Sequence, residues 1–228
     1  MTGVEMLGLL RGGLVVSCQA YEGEPLHGPR FMTAMARSVV LGGAAGVRVN
    51  GPADVEAVRA AVPVPLIGLW KDGDGDVYIT PTAEHALTIA RAGADIVALD
   101  ATSRPRPDGL GLAETIARVH EAGALVMADV STAAEGVAAA ELGADCVSTT
   151  LSGYTPASPR LHGPDLELVA ELAGKLDVPL FAEGRISTPA EAARALELGA
   201  HAVVVGGAIT RPADITLRFS RVLKEARS

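Results

Sequence analysis

Hydrophobic and polar positions repeat one theme along the chain. A short apolar, β-rich run ends in polar residues, a helix-start signal follows, and an Ala-rich amphipathic stretch stops at Gly. The apolar runs are Gly13–Cys18, Gly46–Asn50, Pro65–Trp70, Asp95–Asp100, Ala124–Asp129, Asp145–Thr150, Pro179–Glu183 and Ala202–Gly206, eight in all. The stretches between them carry helix caps. In Thr188-Pro189-Ala190-Glu191 the Thr caps, Pro suits the first helical position and Glu reaches back; Thr132-Ala133-Ala134-Glu135 has the same form. Gly93, Gly123, Gly143 and Gly199 stand where a helix end needs a left-handed residue. The strings RAGAD, ELGAD and ELGAH each run straight into an apolar run, which marks them as recurring turns rather than ligand sites.

Eight strand-then-helix units in 228 residues predict an α/β chain forming a single (β/α)8 TIM barrel over residues 1–228. The rival is a doubly wound open sheet, which uses fewer strands and often carries a Gly fingerprint after the first. Here the first strand leads into Ser17-Cys18-Gln19-Ala20, and no linker or low-complexity segment suggests a second domain.

Composition fits that prediction. Hydrophobic residues make up 49% and aromatics only 3%, as short parallel strands under small-residue helices require. A net charge of -8 argues against nucleic acid or an anionic membrane as partner, though a local Arg cluster can still hold one anion. Cys18 and Cys146 lie inside apolar runs and are expected to be reduced and buried; no CxxC pair or His/Cys cluster suggests a metal. The first basic residue is Arg11, so no secretory signal is expected, and no apolar run is long enough to span a bilayer. The expected setting is soluble and cytoplasmic.

In such a barrel the chemistry gathers at the carboxyl ends of the strands. Those ends offer Gln19; Arg48 and Asn50; Lys71; Asp100, Thr102 and Arg104; Asp129; Thr150 and Ser152; Glu183 and Arg185; and Gly206-Gly207 with Arg211. Units seven and eight close with Glu183-Gly184-Arg185 and Gly206-Gly207-Ala208-Ile209-Thr210-Arg211, the usual place for a phosphate cradle. There Gly184, Gly206 and Gly207 let backbone N–H groups approach an anion, a helix N-terminus adds a favourable dipole, and Arg185 and Arg211 add charge. The plainer alternative is a tight Gly turn with solvated arginines.

Lys71 and Glu183 each follow an apolar run, on strands three and seven, opposite one another in an eight-strand ring. Two titratable groups flanking one carbon suit removal of a proton from one face and return to the other, although a loop Lys is often only a solvated charge. Gln19, Arg48 and Asp129 can orient sugar hydroxyls or an amide, or pair with other loop residues. Arg104 and Arg106, in RPRPDG, read as a Pro-stiffened surface loop.

These residues sit in strings that resemble the N-acetylmannosamine-6-phosphate 2-epimerases of bacterial sialic-acid and aminosugar catabolism. The carriers are GLVVSCQA (13–20), GEPLHG (23–28), GGAAGVRVNG (42–51), ALDAT with RPRPDG (98–109), ADVST (128–132), LGADCVSTTLSGYT (142–155), AEGRISTP (182–189) and GAHAVVVGGAITRP (199–212). The resemblance covers nearly the whole chain and implies epimerisation at C2 of a phosphorylated aminosugar with neither metal nor organic cofactor. It implies Lys71 and Glu183 as the catalytic pair, Gln19, Arg48 and Asp129 as substrate contacts, Arg211 as phosphate ligand, and a cytoplasmic homodimer. Thr150 joins the substrate contacts as the sixth strand's end. Rival readings are another phosphosugar isomerase or aldolase, or a sugar-phosphate sensor without catalysis.

The chain departs from the family pattern around the third loop. Lys71 precedes the acidic run Asp72-Gly73-Asp74-Gly75-Asp76, Trp70 replaces an aliphatic residue, and Val49 stands before Asn50 where a small residue is commoner. The acidic run lacks the downstream Glu of a calcium loop. Carboxylates beside Lys71 are expected to favour its protonated form.

Overall fold

A computed structural model describes residues 2–226. Eight parallel strands close into a barrel in chain order: β1 (Leu14–Cys18), β2 (Gly46–Asn50), β3 (Leu66–Leu69), β4 (Ile96–Asp100), β5 (Leu125–Asp129), β6 (Cys146–Ser148), β7 (Leu180–Glu183) and β8 (Ala202–Val205). Closure comes from β8 pairing with β1, Val204 opposite Val15. The helices are α1 (Gly3–Gly8), α2 (Pro29–Leu41), α3 (Pro52–Arg59), α4 (Ala83–Arg91), α5 (Leu112–Glu121), α6 (Ala133–Glu141), α7 (Leu166–Ala173), α8 (Pro189–Glu197), α9 (Gly207–Thr210) and α10 (Pro212–Glu225). Every expected strand is present, shorter than its apolar run by at most a few residues, because the flanking Asp, Pro and Gly lie in the turns. Among the described residues no helix is long and apolar enough to cross a membrane.

Local sequence accounts for the helix ends. Thr132 with Glu135 and Thr188 with Glu191 form complete capping boxes, each Glu carboxylate accepting from its cap's backbone N–H. The glycines expected to end helices all have positive φ: 99° at Gly93, 85° at Gly123 and 101° at both Gly143 and Gly199. Small residues let the helices approach closely. A Cβ added at Gly136 on α6 would lie 2.7 Å from Leu172 Cδ2 on α7, and one at Gly68 on β3 would meet Ile89 and Ala94 at 2.6 and 2.7 Å.

Strand alternation separates two cores. Outward residues such as Val47, Val49, Leu66, Val97, Val126 and Val147 pack under the helices. Inward residues Val15, Ile67, Leu69, Ile96, Ala98, Met127, Cys146, Phe181, Ala202 and Val204 fill the barrel itself. Below them α1, an element the hydrophobic pattern did not announce, closes the amino-terminal end. Its own capping box joins Thr2 and Glu5, its residue Leu7 and the following Leu10 are buried in the barrel core, and His201 Nε2 lies 2.8 Å from the Leu7 carbonyl oxygen. Gly46 faces this core by strand alternation, and a Cβ there would sit 2.7 Å from Leu10 Cδ2, so the plug leaves no room for a side chain. Both cysteines are buried and free; burial pushes the Cys18 thiol up to about 12 and raises that of Cys146, so neither is a thiolate near neutrality.

Candidate active site

The same alternation carries polar side chains into the barrel's open end. Continuing each inward series one or two steps gives Ser17 and Gln19, Arg48 and Asn50, Lys71, Asp100, Asp129, Ser148 and Thr150, Glu183 and Gly206. A cavity of about 430 Å3 opens there, lined by Gln19, Arg48, Lys71, Thr150, Glu183 and Arg211, among others.

At its floor lies a buried charge cluster. Arg48, 1% exposed, makes a two-point contact with Asp129, Nη2 to Oδ2 at 2.6 Å and Nη1 to Oδ1 at 3.1 Å. Nη1 also lies 3.0 Å from Glu183 Oε2. The Thr150 hydroxyl stands 2.7 Å from Asp129 Oδ1 and 3.0 Å from Glu183 Oε2, so it can donate to either carboxylate. Asp129 is fully buried and does not line the cavity: it lies beneath the floor and clamps Arg48. Burial works against the Arg48 charge, but Asp129 and Glu183 outweigh it and hold the guanidinium above its usual range.

Glu183 and Lys71 are pushed toward each other. Burial raises the Glu183 carboxyl and the Asp129 charge adds to this, against the pull of Arg48 and the Thr150 hydrogen bond. Burial lowers the Lys71 ammonium and Arg48 lowers it further, against Glu183 and Asp129. Such tuning narrows the gap between an acid and a base sharing one cavity.

Lys71 is aimed from two sides. Its Nζ donates to Gln19 Oε1 at 2.8 Å while Gln19 Nε2 donates to Ser17 Oγ at 2.7 Å, and its backbone N–H donates to Asn50 Oδ1 at 2.8 Å. The chain after β3 then folds back as a small flap. Lys71 bridges Ile79 antiparallel, and the Asp72 and Thr80 N–H groups donate to the carbonyls of Tyr78 and Trp70. Thr80 is buried at φ 48°, an uncommon conformation for a β-branched residue. Its hydroxyl donates to Ala98 O at 2.6 Å and accepts from Trp70 N–H at 3.1 Å, which holds it there.

Two expectations about these loops need correction. The RPRPDG segment is not simply a surface loop. Arg106 turns in to donate to the carbonyls of Asp100 and Thr80, each at 2.8 Å, and Arg104 pairs with buried Asp100 at 2.6 Å. Buried carbonyl and carboxylate acceptors need donors, and these guanidinium groups supply them. Nor do the carboxylates after Lys71 hold its proton. Asp72 faces His85 Nε2 at 3.1 Å, Asp74 and Asp76 are exposed, and burial shifts Lys71 downward. Trp70 belongs to the same contact, its ring 4.4 Å from that of His85. The roles of Thr80 and Arg106 were not visible in the pattern. Thr80's only signal is the Thr-Pro pair, which an ordinary turn shows equally.

At the other end of the cavity stand Gly206, Gly207 and Arg211, with Gly184 and Arg185 beside them. A Cβ at Gly207 would lie 3.7 Å from Arg211 Cδ, so the arginine stem runs along the glycine turn. The expected helix N-terminus is only the four-residue α9, too short for a sizeable dipole. Arg211 pairs with Glu24 and, at 2.9 Å, with Asp214, and its guanidinium lies 4.7 Å from the Tyr21 ring centroid. Arg185 lines the cavity, but its Nε and Nη1 donate to the carbonyls of Gly163 at 2.8 Å and Ser152 at 2.5 Å. Only its remaining nitrogen is uncommitted among the described residues. Asp214 and Arg218, on the helix that follows Arg211, also border this end, and so does Tyr21, which only the fold brings here from the loop after β1.

Known proteins share this arrangement across the chain. The profile of the NanE family, described as "Putative N-acetylmannosamine-6-phosphate epimerase", matches residues 32–225. Proteins of the corresponding 2-epimerase description include one from Cutibacterium acnes, 55% identical over 94% of this chain and 95% of its own length. Another, from Caldanaerobacter subterraneus, is 52% identical over 98% of this chain and 96% of its own. The solved N-acetylmannosamine-6-phosphate 2-epimerase of Clostridium perfringens superposes with a TM-score of 0.94 at 44% identity, covering 97% of this chain and 98% of that one. A thiamine phosphate pyrophosphorylase from Pyrococcus furiosus, at 17% identity and a TM-score of 0.64, shares the fold alone. With a barrel that closes on itself and matches of this extent, the chain belongs to the N-acetylmannosamine-6-phosphate epimerase family.

Proposed function

We propose that this chain interconverts N-acetylmannosamine 6-phosphate and N-acetylglucosamine 6-phosphate by deprotonation and reprotonation at C2, with Lys71 and Glu183 as the catalytic pair. The observation that carries the reading is the position of these two groups, on β7 and just beyond β3, over one cavity floor and shifted toward each other by burial. Opening of the sugar to its aldehyde acidifies the C2 hydrogen, because the carbanion left behind delocalises as an enolate. One of the pair takes that proton and the other returns one to the opposite face, so the proton count is unchanged over a turnover. Arg48 and Thr150, polar groups at the floor, face the developing negative charge. Gln19 orients Lys71 and meets the substrate, while Asp129 acts from below by fixing Arg48. Arg211, with the N–H groups of the Gly206-Gly207 turn, holds the phosphate, and binding energy gained there positions C2. Gly184 and Arg185 complete that end, Arg185 chiefly by bracing the wall.

The whole chain forms a single domain in this reading, works in the cytoplasm without a cofactor, and assembles as a homodimer. Helix α10 supports the last point, since it buries no residue and exposes Phe219, Val222 and Leu223. The deciding experiment is a proton NMR time course with N-acetylglucosamine 6-phosphate in D2O. The manno isomer should grow with deuterium entering at C2. Retention of the C2 proton while the ligand demonstrably binds would refute catalysis and favour a sensor.

A further inference from the structure

We propose that Glu24 is a specificity-determining residue: its carboxylate occupies the Arg211 guanidinium as an internal stand-in for phosphate, so that only a ligand bringing its own anionic group takes the place. This rests on Arg211 as the phosphate ligand and adds what competes for it.

Glu24 lies in the loop between β1 and α2, far from Arg211 in sequence. One of its carboxylate oxygens meets Arg211 Nη2 and the other accepts the Tyr21 N–H at 2.8 Å. The Glu24 N–H in turn donates to the Tyr21 carbonyl at 3.0 Å, so a tight turn presents the side chain to the arginine. The Tyr21 ring extends this contact along the cavity. Its centroid is 4.7 Å from the Arg211 guanidinium and 5.5 Å from Lys71 Nζ, so this one loop touches both ends of the site.

Arg211 therefore already has two carboxylate partners, Glu24 and Asp214. A phosphate dianion approaching it meets like charge unless one carboxylate withdraws. Asp214 stands three residues along the chain from Arg211 and remains beside it. Glu24 belongs to a separate loop and can move away. Its pair is partly exposed, 26% at Arg211 and 31% at Glu24, and ion pairs in that setting are weak enough for a ligand to displace. Phosphate offers charge-assisted bonds in exchange, whereas a sugar hydroxyl offers the guanidinium nothing that compensates for the lost carboxylate.

Calorimetric titration tests this with inorganic phosphate, N-acetylglucosamine 6-phosphate and unphosphorylated N-acetylglucosamine. The proteins are the unchanged chain, Glu24→Gln, Arg211→Ala and the double variant. Glutamine keeps an acceptor for the Tyr21 N–H and removes only the charge. Glu24→Gln should bind phosphate and the phosphosugar roughly 3- to 10-fold more tightly. The neutral sugar should show no gain, and the double variant should lose the effect. Unchanged or weaker phosphate binding by Glu24→Gln would overturn the proposal, as would an equal gain for the neutral sugar, which would mean the loop had merely opened. The phosphate-site reading fails separately: if Arg211→Ala alone binds inorganic phosphate as the unchanged chain does, both readings fall.

Discussion

Replacing Asp129 by Asn removes one negative charge from beneath the cavity floor and almost no volume. Asn keeps an acceptor for the Thr150 hydroxyl, now 2.7 Å from Oδ1, but Arg48 loses its nearest counter-charge, now at 2.6 Å. Breaking a buried ion pair by removing one partner costs about 3–5 kcal/mol. Glu183 remains 3.0 Å from the same guanidinium and still neutralises it, which places the expected loss at the lower end, about 3 kcal/mol. For a chain of this length that is a fall in Tm of about 6–12 °C. The same substitution tests the electrostatics of catalysis without deciding which residue takes which proton. Asp129 raises both Glu183 and Lys71, because a nearby negative charge makes a proton harder to remove from either. With that charge gone both groups lose protons more readily, so both limbs of the pH–rate profile move to lower pH. Denaturant melts and initial rates across a pH series measure the two effects. Unchanged stability, or a profile displaced to higher pH, would refute the reasoning.

Further expectations concern the flap, the plug, the shell and the caps. Lys71→Ala should abolish deuterium exchange at C2 while inorganic phosphate still binds by calorimetry; exchange at the original rate would remove Lys71 from the chemistry. Thr80→Val strips the hydroxyl that serves Trp70 N–H and Ala98 O, which should cost about 2 kcal/mol and lower kcat by loosening the Lys71 flap; chemical denaturation with steady-state kinetics reads both. Leu10→Ala, under the barrel, should cost about 2–5 kcal/mol in the same denaturation assay. Gly68→Ala forces a methyl against Ile89 and Ala94 behind β3 and should cost about 1–3 kcal/mol, with melts identical to the unchanged chain counting against it. Hydrogen bonds from the Ser187 N–H and its neighbours lower Glu191, so its cap contributes above the ordinary Glu range and is lost as pH falls through the depressed value. Glu191→Gln should flatten that acidic slope in stability against pH.

What sequence alone determined is what neighbours along the chain decide. Eight apolar runs became eight strands, two Thr/Glu pairs became capping boxes, and the expected helix-stopping glycines took positive φ, because each depends on contacts only a few residues apart. The side chains of the site were also legible as positions, since strand alternation sends Arg48, Lys71, Asp129 and Glu183 inward once the barrel is granted. Their division of labour was not. Arg48 and Asp129 are 81 residues apart, and only ring closure shows that Asp129 grips the guanidinium from below instead of lining the cavity. Arg211 meets a carboxylate 187 residues away, and Arg185, alike in sequence, spends two of its nitrogens on loop carbonyls 22 and 33 residues distant. The α1 plug and the Thr80–Arg106 anchor were hidden for the same reason. Helix α1 carries the same Thr-x-x-Glu cap, at Thr2 and Glu5, but neither that cap nor the Thr-Pro pair at Thr80 shows the burial against strands, far apart in sequence, that gives each segment its role.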